Sequence, residues 1–189
     1  VALGITKDEN LVNIKETAKY FIKNNREFIF DAEHFFDGYK FDKSYSLDCL
    51  SAAYNSGARW VVLCDTNGGT LPGEIHAIIS EVVKIIPGEN LGIHAHNDTD
   101  NAVANSLMAI EAGVRHVQGT INGLGERCGN TNLISLITTL ILKKNYITNI
   151  DKDRLQTLTK VSRLVDDLLN LSPRKQNPYV GEYAFSHKG

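Results

Sequence analysis

The sequence predicts an α/β fold built on a parallel sheet, on three observations. Short apolar runs of strand length alternate with amphipathic stretches of helix length, giving four strand–helix units in order. The run Trp60-Val61-Val62-Leu63-Cys64 is almost continuously hydrophobic, the pattern of a strand covered on both faces. Polar and ionisable residues gather where each strand run ends, at 33–34, 65–67, 94–98 and 119–120. Strands joined through helices run parallel with right-handed crossovers, so the sheet is either closed as a barrel or open and doubly wound. Both architectures build their sites at the C-terminal ends of the strands.

Each element has its own justification. Asp8-Glu9-Asn10 offers a cap and an acidic first turn to a helix carrying Leu11, Ile14, Ala18, Phe21 and Ile22, which Lys23-Asn24-Asn25-Arg26 closes. This leading helix lacks a strand of its own. Residues 27–32 form an aromatic-rich buried strand. A loop over 34–43 leads to a helix with Tyr45, Leu47, Leu50 and Tyr54, stopped at Gly57. After the strand at 60–64 comes a glycine-rich turn, and Pro72 opens a helix presenting Ile75, Ile78, Ile79, Val82 and Ile86. Residues 91–96 are a strand, and 100–112 a helix with Val103, Leu107 and Ile110 inward. A strand over 115–120, a loop over 121–129 and an apolar helix over 132–144 complete the alternation. One long amphipathic helix is expected over 151–170, with Leu155, Leu158, Val161, Leu164, Val165 and Leu168 on its apolar face. The change in composition places a boundary near residue 147, dividing the chain into 1–147 and 148–189.

Composition narrows the function. The chain has 189 residues, 42% hydrophobic and 22% charged, with a formal net charge of −2, which leaves no electrostatic footprint for nucleic acid or an anionic membrane. Three widely spaced cysteines, Cys49, Cys64 and Cys128, fit free thiols in a reducing, cytoplasmic setting better than a disulfide framework. Cys128 is expected to be a small buried residue. No apolar run reaches membrane-spanning length. The opening Val1-Ala2-Leu3-Gly4 has no Met, so a native N-terminus is expected to be missing.

His94 and His96 stand two apart on a strand and project from one face, where two imidazoles can take neighbouring positions on a metal. Alone that spacing is a weak signal; the polar groups at four consecutive strand ends strengthen it. Gly68-Gly69 lets the backbone approach a ligand, with Thr66 or Thr70 able to donate to a carboxylate. In Gly123-Leu124-Gly125-Glu126-Arg127-Cys128-Gly129-Asn130, Glu126 and Arg127 can pair, and Asn130 can lend an oxygen to a hard cation or cap the following helix. His76, on an exposed helix face, and His116, without clustered partners, read as structural.

Four motifs then carry a resemblance: residues 30–39 (Phe-Asp-Ala-Glu-His-Phe-Phe-Asp-Gly-Tyr), 63–72 (Leu-Cys-Asp-Thr-Asn-Gly-Gly-Thr-Leu-Pro), 94–98 (His-Ala-His-Asn-Asp) and 120–130 (Thr-Ile-Asn-Gly-Leu-Gly-Glu-Arg-Cys-Gly-Asn). Together they resemble the 2-isopropylmalate, homocitrate and citramalate synthase family of metal-dependent TIM barrels. The first two favour its citramalate branch, and the ending at 184–189 is similar to the segment after the family's barrel. The resemblance implies a partial TIM (β/α)8 barrel, its last four strand–helix units, followed by a helical linker and the start of an accessory region. It implies condensation of acetyl-CoA with pyruvate, of the kind found in isoleucine and leucine-type branched-chain amino-acid biosynthesis. A divalent metal (Zn, Mn or Mg) would be held by His94, His96 and Asn130; Glu33 and Glu126 would be catalytic, and Thr66 and Asp31 would contact substrate. The full-length protein would be a homodimer. The family's Arg-Asp-Gly signature, which brings a further metal ligand, is absent here. The fragment is therefore expected to associate through its open strand edges or to be poorly stable alone, and to be inactive as it stands.

Overall fold

The computed structural model describes residues 4–186. Val1-Ala2-Leu3 and the last three residues of the family-like ending, His187-Lys188-Gly189, lie outside the described residues. Two compact units make up the chain, Val1–Gln118 and Gly119–Gly189.

The first unit contains helix α1 (Lys7–Lys23), strand β1 (Ile29–Ala32), helices α2 (Phe35–Phe41) and α3 (Lys43–Asn55), strand β2 (Trp60–Asp65), helix α4 (Pro72–Val82), strand β3 (Leu91–Ala95), helix α5 (Ala102–Glu111) and strand β4 (His116–Gln118). All strand pairs are parallel, and their order in the sheet, β1-β2-β3-β4, is their order in the chain. A doubly wound sheet reverses its strand order at a switch point. None occurs among these four strands, so the winding is that of a barrel segment.

Alternation gives the sheet two different faces. Val61, Leu63, Leu91, Ile93 and Ala95 point to the helices and are fully buried, packed with Leu50, Ala53, Ile75, Ile79 and Val82. Each such aliphatic side chain contributes roughly 1.5–3 kcal/mol by leaving water. The other face carries Asp31, Cys64, His94 and Gln118, and the strand register sets Cys64 beside His94 and His94 beside Gln118.

Several expectations are corrected. The first helix is capped two residues earlier than Asp8, by a box in which the Glu9 N–H donates to Thr6 Oγ1 (3.2 Å) and the Thr6 N–H to Glu9 Oε2 (2.7 Å). Residues 35–41 form helix α2 rather than loop: His34 turns the chain at φ 57°, and burial of Phe35 and Phe36 overrides the weak propensity of an aromatic, glycine-containing stretch. α4 stops at Val82, and Ile86 is buried beyond its end. In α5 the buried stripe is Ala102, Asn105, Ser106 and Ala109, so the helix is turned by about one residue from the expected Val103, Leu107 and Ile110. The buried polar residues are hydrogen-bonded, Asn105 Nδ2 donating to the Thr70 carbonyl (2.8 Å) and Ser106 Oγ to the Ala102 carbonyl (2.9 Å). His76 is half-buried rather than exposed.

The second unit contains helix α6 (Leu133–Leu142) and helix α7 (Leu158–Leu168), with 3-10 turns at Ile121–Gly123, Lys152–Thr157 and Glu182–Phe185. Asn132, not Asn130, caps α6, its side chain accepting the Ile134 N–H at 3.0 Å. Ile134, Leu158 and Val180 form a small core with Ile121 and Leu155. The helix expected over 151–170 is split, its first turns being 3-10. Its buried stripe is also not the expected leucine face: Leu158, Ser162 and Asp166 are buried, while Leu164 and Leu168 are exposed. Polar contacts explain this. Ser162 Oγ donates to Asn122 Oδ1 (2.6 Å), and Asn122 Nδ2 donates to Asp166 Oδ1 (2.9 Å) and the Ser162 carbonyl (3.0 Å). Within this second unit the 3-10 turn after β4 packs against α6 and α7 through Ile121.

Candidate active site

The strands of the first unit end in a set of polar side chains on one face. His94 and His96 lie with ring centroids 5.1 Å apart and planes 30° from parallel. The strand pleat puts both on the same side, and the half-buried rings sit where β3 runs out into the loop. His94 Nδ1 is 2.7 Å from Gln118 Oε1, and Gln118 Nε2 donates to Asp31 Oδ1 at 2.9 Å. Residues from β1, β3 and β4 are therefore tied in one chain of contacts across the sheet. Gln118 had no place among the residues expected from sequence; its polarity on a strand, two positions from His116, was the only signal.

Thr66 holds the turn after β1, its hydroxyl accepting the His34 N–H at 2.8 Å. Glu33 is exposed just beyond β1. Asp65, by contrast, points inward and is structural. It is 1% exposed and accepts from Thr70 Oγ1 (2.8 Å) and the Thr70 N–H (3.3 Å), fastening the glycine-rich turn. Burial pushes its carboxyl above the usual range, and the Thr70 bonds partly offset that. Within this turn Gly68 has φ +61°, and a Cβ there would lie 2.5 Å from Asp98 Oδ2. Only glycine fits. Thr99 Oγ1 donates to the Gly68 carbonyl at 2.8 Å and so joins the turn to the His-Ala-His-Asn-Asp loop.

Cys64 shares a row with His94, but burial, then the Asp31 and Glu33 charges, push its thiol up to about 12. It is not a nucleophile at neutral pH. Glu126 and Asn130 belong to the second unit. Their loop closes on itself through the Asn130 N–H to the Gly123 carbonyl (3.0 Å) and the Gly129 N–H to the Glu126 carbonyl (2.9 Å). A Cβ at Gly125 would overlap the Asn130 side-chain oxygen, so the loop is shaped around that amide. Glu126 and Arg127 approach to 3.5 Å as an exposed pair, worth little to stability. Cys128 is exposed, contrary to expectation, because the loop turns it outward between buried Gly129 and exposed Arg127.

A divalent metal fits the histidine pair. Two imidazoles on one face, one with its Nδ1 engaged by an amide oxygen, make a borderline donor set suited to such an ion. No group of three or more His, Cys, Asp or Glu side chains able to hold a metal is found among the described residues.

A family model described as HMGL-like matches residues 1–165. The chain belongs to the HMGL-like family. It is 53% identical to the (R)-citramalate synthase of Aquifex aeolicus over 188 residues, covering 100% of this chain and 35% of that protein. It is 50% identical to the (R)-citramalate synthase of Synechocystis sp., covering 96% of this chain and 34% of that protein. A 2-isopropylmalate synthase of Staphylococcus epidermidis is 33% identical, over 98% of this chain and 36% of its own length. The chain thus spans about a third of these curated relatives. Among solved structures, the hydroxymethylglutaryl-CoA lyase of Pseudomonas aeruginosa superposes with TM-score 0.74 at 18% identity, over 90% of this chain and 59% of that one. An HMG-CoA lyase of Acinetobacter baumannii, in complex with coenzyme A and 3-methylmalate, gives 0.65 at 26% identity, over 78% and 49%. The partial-barrel α/β fold expected of this HMGL-like chain is the one observed.

Proposed function

We propose that this chain is part of a citramalate synthase, an acyltransferase that condenses acetyl-CoA with pyruvate to give citramalate and CoA. One observation carries the reading: identity to curated citramalate synthases is 44–53% across essentially the whole chain, against 33–36% for the 2-isopropylmalate synthases. The motif forms at 30–39 and 63–72 support the same branch.

Residues 1–147 would form the C-terminal half of the barrel, and 148–189 the helical linker and start of an accessory region. β1 and β4 each have one strand neighbour, and a cleft of about 490 Å³ beside β1, lined by Lys7, Asn10, Phe30, Glu33 and Tyr45, would be covered by the remaining barrel. His94 and His96 would hold a divalent ion, with Asn130 as ligand or as the group that orients its water. When bound, the ion polarises the 2-oxoacid carbonyl as a Lewis acid. Thr66 would donate to the pyruvate carboxylate, and Asp31 would contact the substrate. Glu33 would take a proton from the acetyl methyl, so that this carbon attacks the pyruvate carbonyl carbon; Glu126 would orient groups around the site. Hydrolysis of the thioester then releases CoA. No described helix is long and apolar enough to cross a membrane. A cytoplasmic homodimer serving isoleucine-type biosynthesis is the setting that suits this chemistry.

CoA release by the whole protein, assayed with pyruvate, 2-oxoisovalerate and 2-oxoglutarate, tests the reading. Preference for pyruvate is expected. Preference for 2-oxoisovalerate would move the assignment to 2-isopropylmalate synthase, and no release with any of them would reduce the barrel to a binding module.

A further inference from the structure

We infer that Gln118 is a positioning residue that sets the tautomer of His94, and that Asp31 acts through it. The inference rests on the proposed metal reading only for its purpose. Its geometry stands apart from that reading.

An amide offers one acceptor oxygen and one donor nitrogen, and which faces which partner is fixed by the neighbours. A carboxylate can only accept. Asp31 Oδ1 lies 2.9 Å from the Gln118 amide, so the nitrogen of Gln118 must face Asp31 and its oxygen must face His94. That oxygen, 2.7 Å from His94 Nδ1, can only accept, so Nδ1 must carry the ring proton. The neutral ring then has its lone pair on Nε2. A glutamine thus transmits the demand of a carboxylate on one strand to an imidazole on another, across strands that the sheet order and register hold in place. The chain is Asp31, Gln118, His94, with each polarity dictated by the one before. In a free histidine side chain the proton prefers Nε2, so this arrangement selects the tautomer whose Nε2 can ligate. Metal-bound histidines depend on such partners, whose loss weakens metal affinity about 10–100-fold.

The test is magic-angle-spinning ¹⁵N spectroscopy of the whole protein, labelled with ¹⁵N-histidine and stripped of metal, at alkaline pH where the rings are neutral. His94→Gln identifies the signals. His94 is expected with protonated Nδ1 and unprotonated Nε2; Gln118→Leu is expected to move the proton to Nε2. Gln118→Glu presents a carboxylate oxygen to Nδ1–H and should keep the native tautomer when combined with Asp31→Asn, which relieves its repulsion. Titration with Zn²⁺ alone should show Gln118→Leu binding about tenfold or more weakly, with the double variant recovering most of that loss. A wild-type His94 protonated on Nε2, or an unchanged tautomer in Gln118→Leu, overturns the inference. Should Gln118→Leu fail to fold, the wild-type spectrum alone decides. The native tautomer together with no Zn²⁺ binding by the wild type would uphold the positioning role and overturn the metal reading instead.

Discussion

His94 and His116 sit on the same face of the same sheet, on adjacent strands, and their surroundings differ in kind. His94, at the C-terminal end, has a polar partner: its Nδ1 meets Gln118, which Asp31 orients. His116, toward the N-terminal end, has an aromatic one. Its ring stacks on Trp60 at 4.8 Å, and the Arg59 guanidinium lies 4.1 Å over the same indole. His116 Nε2 is buried without a hydrogen-bond partner among the described residues. Gly92 makes this stack possible, since a Cβ there would lie 2.8 Å from Val62 Cγ2 and 2.9 Å from His116 Cδ2. The lesson is that an imidazole is made a candidate ligand by what holds its second nitrogen. One end of the face is held by polar contacts, the other by ring stacking.

The two histidines should differ most in their effect on activity. In the whole enzyme, His94→Ala should lower the rate of CoA release by about a thousandfold or more, because charge developing on the substrate oxygen loses its stabilisation. His116→Ala should leave the rate within its order of magnitude. Comparable losses from both would erase the distinction. The glycines give the next largest effect. Gly68→Ala and Gly92→Ala should each cost roughly 1–3 kcal/mol in urea denaturation, the first from backbone strain and a close approach to Asp98, the second from overpacking. Only Gly68→Ala should also raise KM for the 2-oxoacid.

Smaller effects concern pH. Burial lowers the His116 pKa below its ordinary 6.5. The unfolded chain therefore takes the proton first, and the contribution of neutral His116 is present above 6.5 and lost as pH falls through the folded value. His116→Phe keeps an aromatic on Trp60 and should remove that loss, seen as a smaller fall in the urea midpoint on acidification. Asp65 has the opposite sign and the smallest effect. Its raised pKa makes its contribution present below the ordinary 3.8 and lost as pH rises through the folded value. Asp65→Asn should flatten that part of the profile.

The strand–helix alternation was legible because buried parallel strands leave hydrophobic runs, and Trp60–Asp65 is buried along nearly its whole length. The histidine pair was legible because a strand's period of two is visible in two adjacent positions. Other features depend on residues far apart in the chain. Gln118 acquires its role from Asp31, 87 positions away, and no local pattern marks it. α7 looked like a leucine-faced helix, yet Ser162 and Asp166 are its buried residues because Asn122, some 40 positions earlier, supplies their partners. α2 formed where Phe35 and Phe36 found a core, against local propensity. Tertiary partners decided each of these.

The proposed binding of a divalent metal by His94 and His96 is open to direct measurement. Bound metal in the whole protein, stripped with chelator, reconstituted and measured beside His94→Ala and His96→Ala, tests it most directly. Stoichiometric metal in the wild type and its loss in both folded variants are expected. Unchanged metal content in either variant would contradict it.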